Sequence, residues 1–272
     1  MKVPPCYNSH ITTKGAVNMQ EVFVSGVSLP EAYHRALLAL NERGLISPCP
    51  DYDTRQKEIS LTMSVEEPLA EPMISRLFIG GYRELEQYRQ EMLEGVLDFE
   101  IERGNWAYTY HSRMKEQLPW LLGELRRNPY SRRAVIDIRE WRHDTEEGND
   151  SPACLQHIQY LVREGALHCK TLFRSNDGVK ATFMNAFALI MLQERISREL
   201  GVKMGSYTHR ANSFHCYERD FDLLSGYASR IASAGSLCAD EITYEYDGDW
   251  KELMEESRPG IAEQIERLKQ GG

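Results

Sequence analysis

Ser151-Pro-Ala-Cys154-Leu-Gln-His-Ile-Gln-Tyr-Leu-Val-Arg163-Glu164-Gly165-Ala166-Leu-His-Cys-Lys-Thr-Leu-Phe173-Arg174-Ser175-Asn176-Asp177 decides the fold class. Residues 156–163 and 166–173 alternate apolar and polar side chains, the period of a strand buried on one face, and Glu164-Gly165 between them suits a tight turn. The stretch therefore predicts an antiparallel hairpin. A long apolar run from Thr182 to Leu200 follows, with Gly201 placed to end a helix. Hairpin and helix together depart from a regular strand-helix-strand rhythm and predict an α+β fold, a mixed sheet packed with helices.

The rest of the chain agrees. Upstream, Ser28 with Glu31 three residues later has the form of a capping box, Pro30 suits a first turn, and Ala32, Ala36, Leu37 and Leu40 recur at helical spacing before Gly44. Residues 48–54 are turn-forming, and Ile59, Leu61, Met63 and Val65 alternate as in a half-buried strand. Residues 83–97 and 116–127 read as helices, the second stopped by Asn128-Pro129, with a strand expected at 134–138. Residues 241–246 are strand-like, and a charged helix is expected from Arg258. Without repeat, low-complexity segment or linker, residues 1–272 are expected to form a single catalytic domain.

Composition bounds the function. No apolar run approaches membrane length, and Met1-Lys2-Val3-Pro4-Pro5 does not lead into the apolar core of a secretory leader, so a cytoplasmic protein is expected. Cysteines at 6, 49, 154, 169, 216 and 238 show no CxxC pair, which predicts free thiols and no metal. His209 and His215 with Cys216 lack the further ligands a metal site needs. The net charge of −9 argues against a nucleic-acid surface and implies that an anionic substrate needs a local arginine cluster.

Such clusters exist. Arg174 and Ser175 follow the hairpin, and Ser131-Arg132-Arg133 lies upstream; guanidinium forks match phosphate oxygens bidentately, so these residues are candidates for a dianion site. Cys154, just ahead of the first strand, is a candidate nucleophile. A free thiol is only slightly ionised at neutral pH, and a nearby arginine such as Arg174 is expected to raise the thiolate fraction.

Taken in order, Ser-Arg-Arg at 131–133, Pro-x-Cys at 152–154, Arg-Ser-x-Asp at 174–177, Asn185 and His-x-Tyr at 215–217 resemble the thymidylate synthase family, which includes the deoxypyrimidine hydroxymethylases. The resemblance spans roughly residues 67–220, and the spacing from Cys154 to Tyr217 fits it without insertion. It implies a homodimer packed sheet to sheet with shared active sites. Cys154 would attack C6 of a pyrimidine nucleotide, Arg174 and Ser175 would hold its 5′-phosphate together with Arg132 and Arg133 of a second copy, and His215 and Tyr217 would hold the sugar 3′-hydroxyl. Asp177 would contact the cosubstrate, 5,10-methylenetetrahydrofolate.

For proton transfer the resemblance implies a glutamate upstream, with Glu71 the candidate and Glu66 and Glu67 as neighbouring alternatives. Tyr110 resembles the tyrosine that assists at C5, with Tyr108 as the alternative. Asn185 addresses the base: a carboxamide complements the O4 acceptor and N3–H donor of uracil, whereas cytosine reverses that pattern. dUMP is the expected substrate.

Departures from the family bear on the product. No Arg-Thr-Gly-Thr segment precedes the motifs, the paired-tryptophan stretch before the tyrosine is missing with Trp106 standing alone, position 155 is Leu in place of His, and a Pro-His-Pro strand with an apolar tail is not found. Tryptophan and tail would shield a reactive methylene from water. Their lack favours hydration, so 5-hydroxymethylation of dUMP is expected, with synthesis of dTMP as the alternative. A catalytically idle nucleotide- or RNA-binding relative is a third reading, opposed by the intact Cys154, Arg174, Asp177 and Asn185.

Overall fold

The computed structural model describes residues 19–271. The leader reading of residues 1–5 and the thiol of Cys6 lie outside the described residues. In chain order the elements are β1 (Glu21–Gly26), α1 (Leu29–Arg43), β2 (Leu45–Cys49), β3 (Thr54–Val65), β4 (Ile74–Ser75), α2 (Tyr82–Glu94), α3 (Phe99–Glu102), α4 (Tyr110–Met114) and α5 (Leu118–Arg127). There follow β5 (Val135–Asp137), α6 (Trp141–Asp144), β6 (Leu155–Arg163), β7 (Ala166–Asp177), α7 (Thr182–Leu200), β8 (Lys203–Tyr217), α8 (Phe221–Ala234), β9 (Thr243–Tyr244) and α9 (Lys251–Gln270).

Seven strands make one mixed sheet in the order β1-β3-β8-β7-β6-β5, with β2 also paired to β3. β1 runs parallel to β3 and β7 parallel to β8, while the β3–β8, β6–β7 and β5–β6 pairs are antiparallel. The expected hairpin is present, and its turn places Glu164 and Gly165 at φ 51° and 76°, the left-handed region in which glycine is unstrained. Helix α7 spans the expected residues and ends at Gly201, φ 68°.

One face of the sheet carries Ile59, Leu61 and Met63 of β3, Ile158 and Tyr160 of β6, and Tyr207 and Ala211 of β8, all buried. Helices α1, α7 and α8 cover it. The rings of Tyr33 on α1 and Phe183 on α7 lie 5.4 Å apart within that layer. Alternate residues such as Gln159, Leu161, Lys170 and Arg210 point to the other face and stay partly or fully exposed. A small satellite core joins Leu97 to Ile261 and Ile265 of α9.

Several expectations need correction. Ser28 occupies the N-cap position of α1, but its hydroxyl makes no cap bond and lies 3.7 Å from the Cys238 sulfur. Glu31 instead accepts the Val27 N–H at 2.8 Å. Pro48 and Cys49 belong to β2 and not to a turn, which begins at Pro50. β7 runs on to Asp177, the strand expected at 241–246 shrinks to Thr243–Tyr244, and α9 begins at Lys251 with Pro259 inside it. β1, β8 and α8 carry no expectation from the sequence, and β8 reads as polar because its outward face is Ser206, Thr208, Arg210 and Asn212.

Candidate active site

Strand register assembles the site. The Arg174 N–H donates to the Cys154 carbonyl at 2.8 Å, beside the irregularity where β6 leaves β7, so nucleophile and arginine face one another across the strand pair. Between β7 and β8, Ser175 is level with Ser213 and Asp177 with His215; between β8 and β3, His215 is level with Glu58. Three neighbouring strands thus set Asp177, His215 and Glu58 in one row. Asn185 enters from the first turns of α7.

These residues line one cleft of about 1170 Å³, together with Cys154, Arg174, Tyr88, Tyr110 and Tyr217. A drug-sized ligand occupies a pocket of about 300–1,000 Å³, so the space suits a nucleotide with a second ligand beside it. A smaller cavity of about 200 Å³, shared at Tyr88 and Tyr110, continues from it and is lined by Met92, Trp106 and Tyr108. Tyr88, Trp106, Tyr108 and Tyr110 give it aromatic walls suited to a planar ring.

Cys154 is partly buried, and burial pushes its thiol above the ordinary range while the Arg174 charge opposes that rise. Arg174 acts toward the thiolate as expected, and desolvation outweighs it. Arg174 also donates from Nε to the Ala153 carbonyl at 3.1 Å and from Nη2 to the Pro152 carbonyl at 2.7 Å. The Tyr110 hydroxyl accepts the Leu155 N–H at 3.3 Å, one residue from the nucleophile. Burial holds the Tyr110 phenol firmly protonated.

His215 lies 3.3 Å from the Ser175 hydroxyl through Nδ1, and its Nε2 is buried without a partner. Burial also lowers its pKa, so the ring is neutral and Nε2 is free to bond a ligand hydroxyl. Its ring packs edge-on against Tyr217 at 4.9 Å. Asp177 accepts the N–H groups of Val179 and Lys180 through one oxygen, at 3.0 and 2.9 Å, and its other oxygen makes no hydrogen bond among the described residues.

Two groups of expected site residues stand outside the cleft. Glu71 is exposed and accepts backbone N–H groups from Met73, Tyr246 and Asp247 at 2.8–2.9 Å, pinning the turn before α9. Arg132 and Arg133 are exposed near β5, with Arg133 held 3.0 Å from Glu124. Among the described residues the cleft's charged lining is Asp51, Glu58, Asp150 and Asp177 against Arg174.

Three residues that the sequence reading passed over join the site. Glu58 accepts the Ser47 and Ser213 hydroxyls at 3.0 and 2.7 Å. Glu91 lines the smaller cavity, and burial raises its carboxyl pKa. Tyr88 donates its hydroxyl to Asn185 Oδ1. The signal lay in α2, where Leu85, Tyr88 and Met92 recur at the spacing of one helix face. No group of three potential metal ligands occurs among the described residues. No described helix is long and apolar enough to cross a membrane.

Comparison with known proteins is consistent with this geometry. The thymidylate synthase family model matches residues 84–241. A Methanocaldococcus jannaschii protein named "Putative thymidylate synthase" is 33% identical over 185 residues, covering 65% of this chain and 83% of its own. The thymidylate synthase of Bacillus licheniformis is 32% identical over 117 residues, 43% of this chain and 41% of its own. The thermostable thymidylate synthase A of Bacillus subtilis superimposes with a TM-score of 0.58 at 18% identity, covering 75% of this chain and 84% of that one, a match of fold.

Proposed function

The chain belongs to the thymidylate synthase family, and from that we propose that it transfers a one-carbon unit from 5,10-methylenetetrahydrofolate to C5 of dUMP, with water completing the reaction to give 5-hydroxymethyl-dUMP. The observation that carries the reading is the single cleft lined by a nucleophile, Cys154, and a carboxamide, Asn185, with unpartnered His215 Nε2 at the same site.

C5 of uracil is a weak nucleophile. Attack of the Cys154 sulfur on C6 places negative charge on C5 and O4, and the Asn185 amide meets O4 with its N–H and N3–H with its C=O. The folate supplies the electrophilic carbon that bonds to C5. The C5 proton then leaves through the Tyr110 hydroxyl, which passes its own proton on to solvent as it takes this one up, and Glu91, whose carboxyl pKa burial raises, is the acid–base group beside it in the adjoining cavity. Loss of folate from the new carbon leaves a methylene on the ring; water adds to that carbon as the Cys154–C6 bond breaks. Atoms balance as dUMP, methylenetetrahydrofolate and water giving 5-hydroxymethyl-dUMP and tetrahydrofolate.

Water capture is supported by the lining of the main cleft, to which α9 contributes no residue; α9 packs on α2, with Arg83 donating to Gln264 at 2.9 Å and Arg258 to Glu94 at 2.9 Å, and meets the smaller cavity only from behind its Leu97 wall, through Ile261 and Ile265. The second reading, hydride transfer giving dTMP and dihydrofolate, is favoured by the names of the relatives and by Trp106 in the adjoining cavity. Product mass separates them: a hydroxymethyl product with no dihydrofolate absorbance supports the first, and a methyl product overturns it.

The phosphate argues for two copies. A dianion among four carboxylates needs more than Arg174 alone, two of whose N–H groups are spent on carbonyls. Exposed Arg132 and Arg133, outside their own cleft, are suited to reach the cleft of a second copy. A mixture of Cys154→Ser and Arg132→Ala/Arg133→Ala chains is expected to recover activity that neither has alone.

A further inference from the structure

Helices α2 and α7 meet at the cleft, and there the Tyr88 hydroxyl donates to Oδ1 of Asn185. A carboxamide is nearly symmetric in shape, and turning it by 180° exchanges donor and acceptor. Left free, Asn185 could present N–H to the O4 of uracil or C=O to the N4 amine of cytosine at similar cost. The buried residue has little room to choose by solvent, being 4% exposed.

We propose that Tyr88 is a positioning residue that fixes the orientation of the Asn185 amide and so sets the preference for uracil over cytosine. With its oxygen occupied by the phenol, the amide turns its NH2 group toward the base, where it bonds an acceptor and opposes a donor. The amide oxygen keeps a second lone pair for N3–H. The reverse orientation would face the Tyr88 oxygen with an N–H and strip the phenol proton of its acceptor. Burial holds that phenol in its protonated form throughout the working pH range, so the donor does not switch off. The hydroxyl of nearby Tyr110 already accepts the Leu155 N–H at 3.3 Å, and the acceptor that the Tyr88 proton meets is Asn185 Oδ1.

The inference rests on the reading of Asn185 as the base-contacting residue, and the experiment separates the two. Binding of dUMP and of dCMP is measured for wild type and for Tyr88→Phe, which removes one oxygen and keeps the ring. The dUMP to dCMP preference is expected to fall about tenfold, with most of the change in dCMP. Tyr88→Met, an unbranched filler without a donor, serves as a second variant and is expected to give the same shift. In an Asn185→Asp background Tyr88→Phe is expected to leave the preference unchanged, because a carboxylate has no donor end to misplace. A merely structural role for Tyr88 would lower affinity for both nucleotides alike. If wild type prefers dUMP and the ratio is unchanged in either variant that folds, the positioning role is overturned while the uracil reading stands. If wild type binds neither nucleotide, both fall together.

Discussion

The guanidinium of Arg174 donates to the carbonyl of Pro152 at 2.7 Å and, through Nε, to that of Ala153 at 3.1 Å, so this arginine shapes the loop that presents Cys154. It also opposes the rise that burial imposes on the thiol. The thiolate is the reactive form, and a pKa raised by burial means reactivity climbs with pH beyond about 8.5, the ordinary thiol value. Arg174→Gln removes the opposing charge and is expected to move the pH profile of iodoacetamide alkylation of Cys154 further upward. Loop displacement should also lower turnover on the order of 10²-fold. An alkylation profile identical to wild type would refute this electrostatic role.

Glu91 and Glu71 are expected to separate chemistry from architecture. Glu91 faces the cavity beside Tyr88 and Tyr110, and burial raises its carboxyl pKa, as a proton donor near neutrality requires. Glu71 is occupied by three backbone amides. Glu91→Gln is expected to reduce release of tritium from C5-labelled dUMP by about 10²–10⁴-fold with little change in melting temperature. Glu71→Gln should weaken its charge-assisted bonds, lowering stability by about 1–3 kcal/mol while tritium release per folded molecule is retained. The opposite pattern would return the proton-transfer role to Glu71.

The difference between those two glutamates shows where sequence reasoning stopped. The hairpin at 155–177 and helix α7 were legible because alternation and apolar continuity are local signals, with Gly201 marking an end. Cys154, Arg174, Asn185 and His215 lie on those elements or on the strand paired with them, so their motif spacing carried spatial information. Glu91 sits on a polar helix whose inward face is defined by packing against α7, a long-range fact. β8 alternates weakly because its outward residues are polar and its inward ones include His209 and His215. Glu71 was misleading for the converse reason, since an acidic residue near Pro72 gives no sign that three distant or neighbouring amides will claim it.

Acid should destabilise the fold through two histidines that take no part in the reaction. His209 is buried between the Tyr207 hydroxyl and Asn176 Oδ1, each at 2.9 Å, and its pKa falls to about 3 through burial. His34 lies 2.7 Å from both the Leu237 carbonyl and the Ser75 hydroxyl, and burial lowers it to about 4. Unfolded, each titrates near 6.5. Between that value and the folded one, the unfolded chain holds a proton that the folded chain refuses, so stability is present above about pH 6.5 and is lost as pH falls. The loss is roughly 1 kcal/mol per pH unit for each histidine. Urea midpoints from pH 7 to pH 4 should therefore drop steeply, and His209→Gln should flatten the slope although it lowers stability at pH 7. Parallel slopes would show that other groups govern acid unfolding.

Arg113 and Asp144 form a buried pair that ties α4, which carries Tyr110, to the segment before the nucleophile. Two parallel hydrogen bonds of 2.9 and 2.8 Å join them, Arg113 also donates to the Ile138 carbonyl at 2.8 Å, and Asp144 accepts the Glu140 N–H at 3.0 Å. The guanidinium lies 4.0 Å over the Tyr108 ring. Removing one partner leaves a charge buried without compensation, a loss of roughly 3–5 kcal/mol, whereas replacing both with apolar residues of similar volume costs far less. Arg113→Met is thus expected to be markedly destabilised, and Arg113→Met with Asp144→Leu to recover much of that loss in urea unfolding. If the single substitution cost less than about 1 kcal/mol, the pair would be behaving as an exposed one. Because Tyr110 follows the same helix, the single variant should also lose C5 tritium release at temperatures below its melting point, and the double variant should regain it.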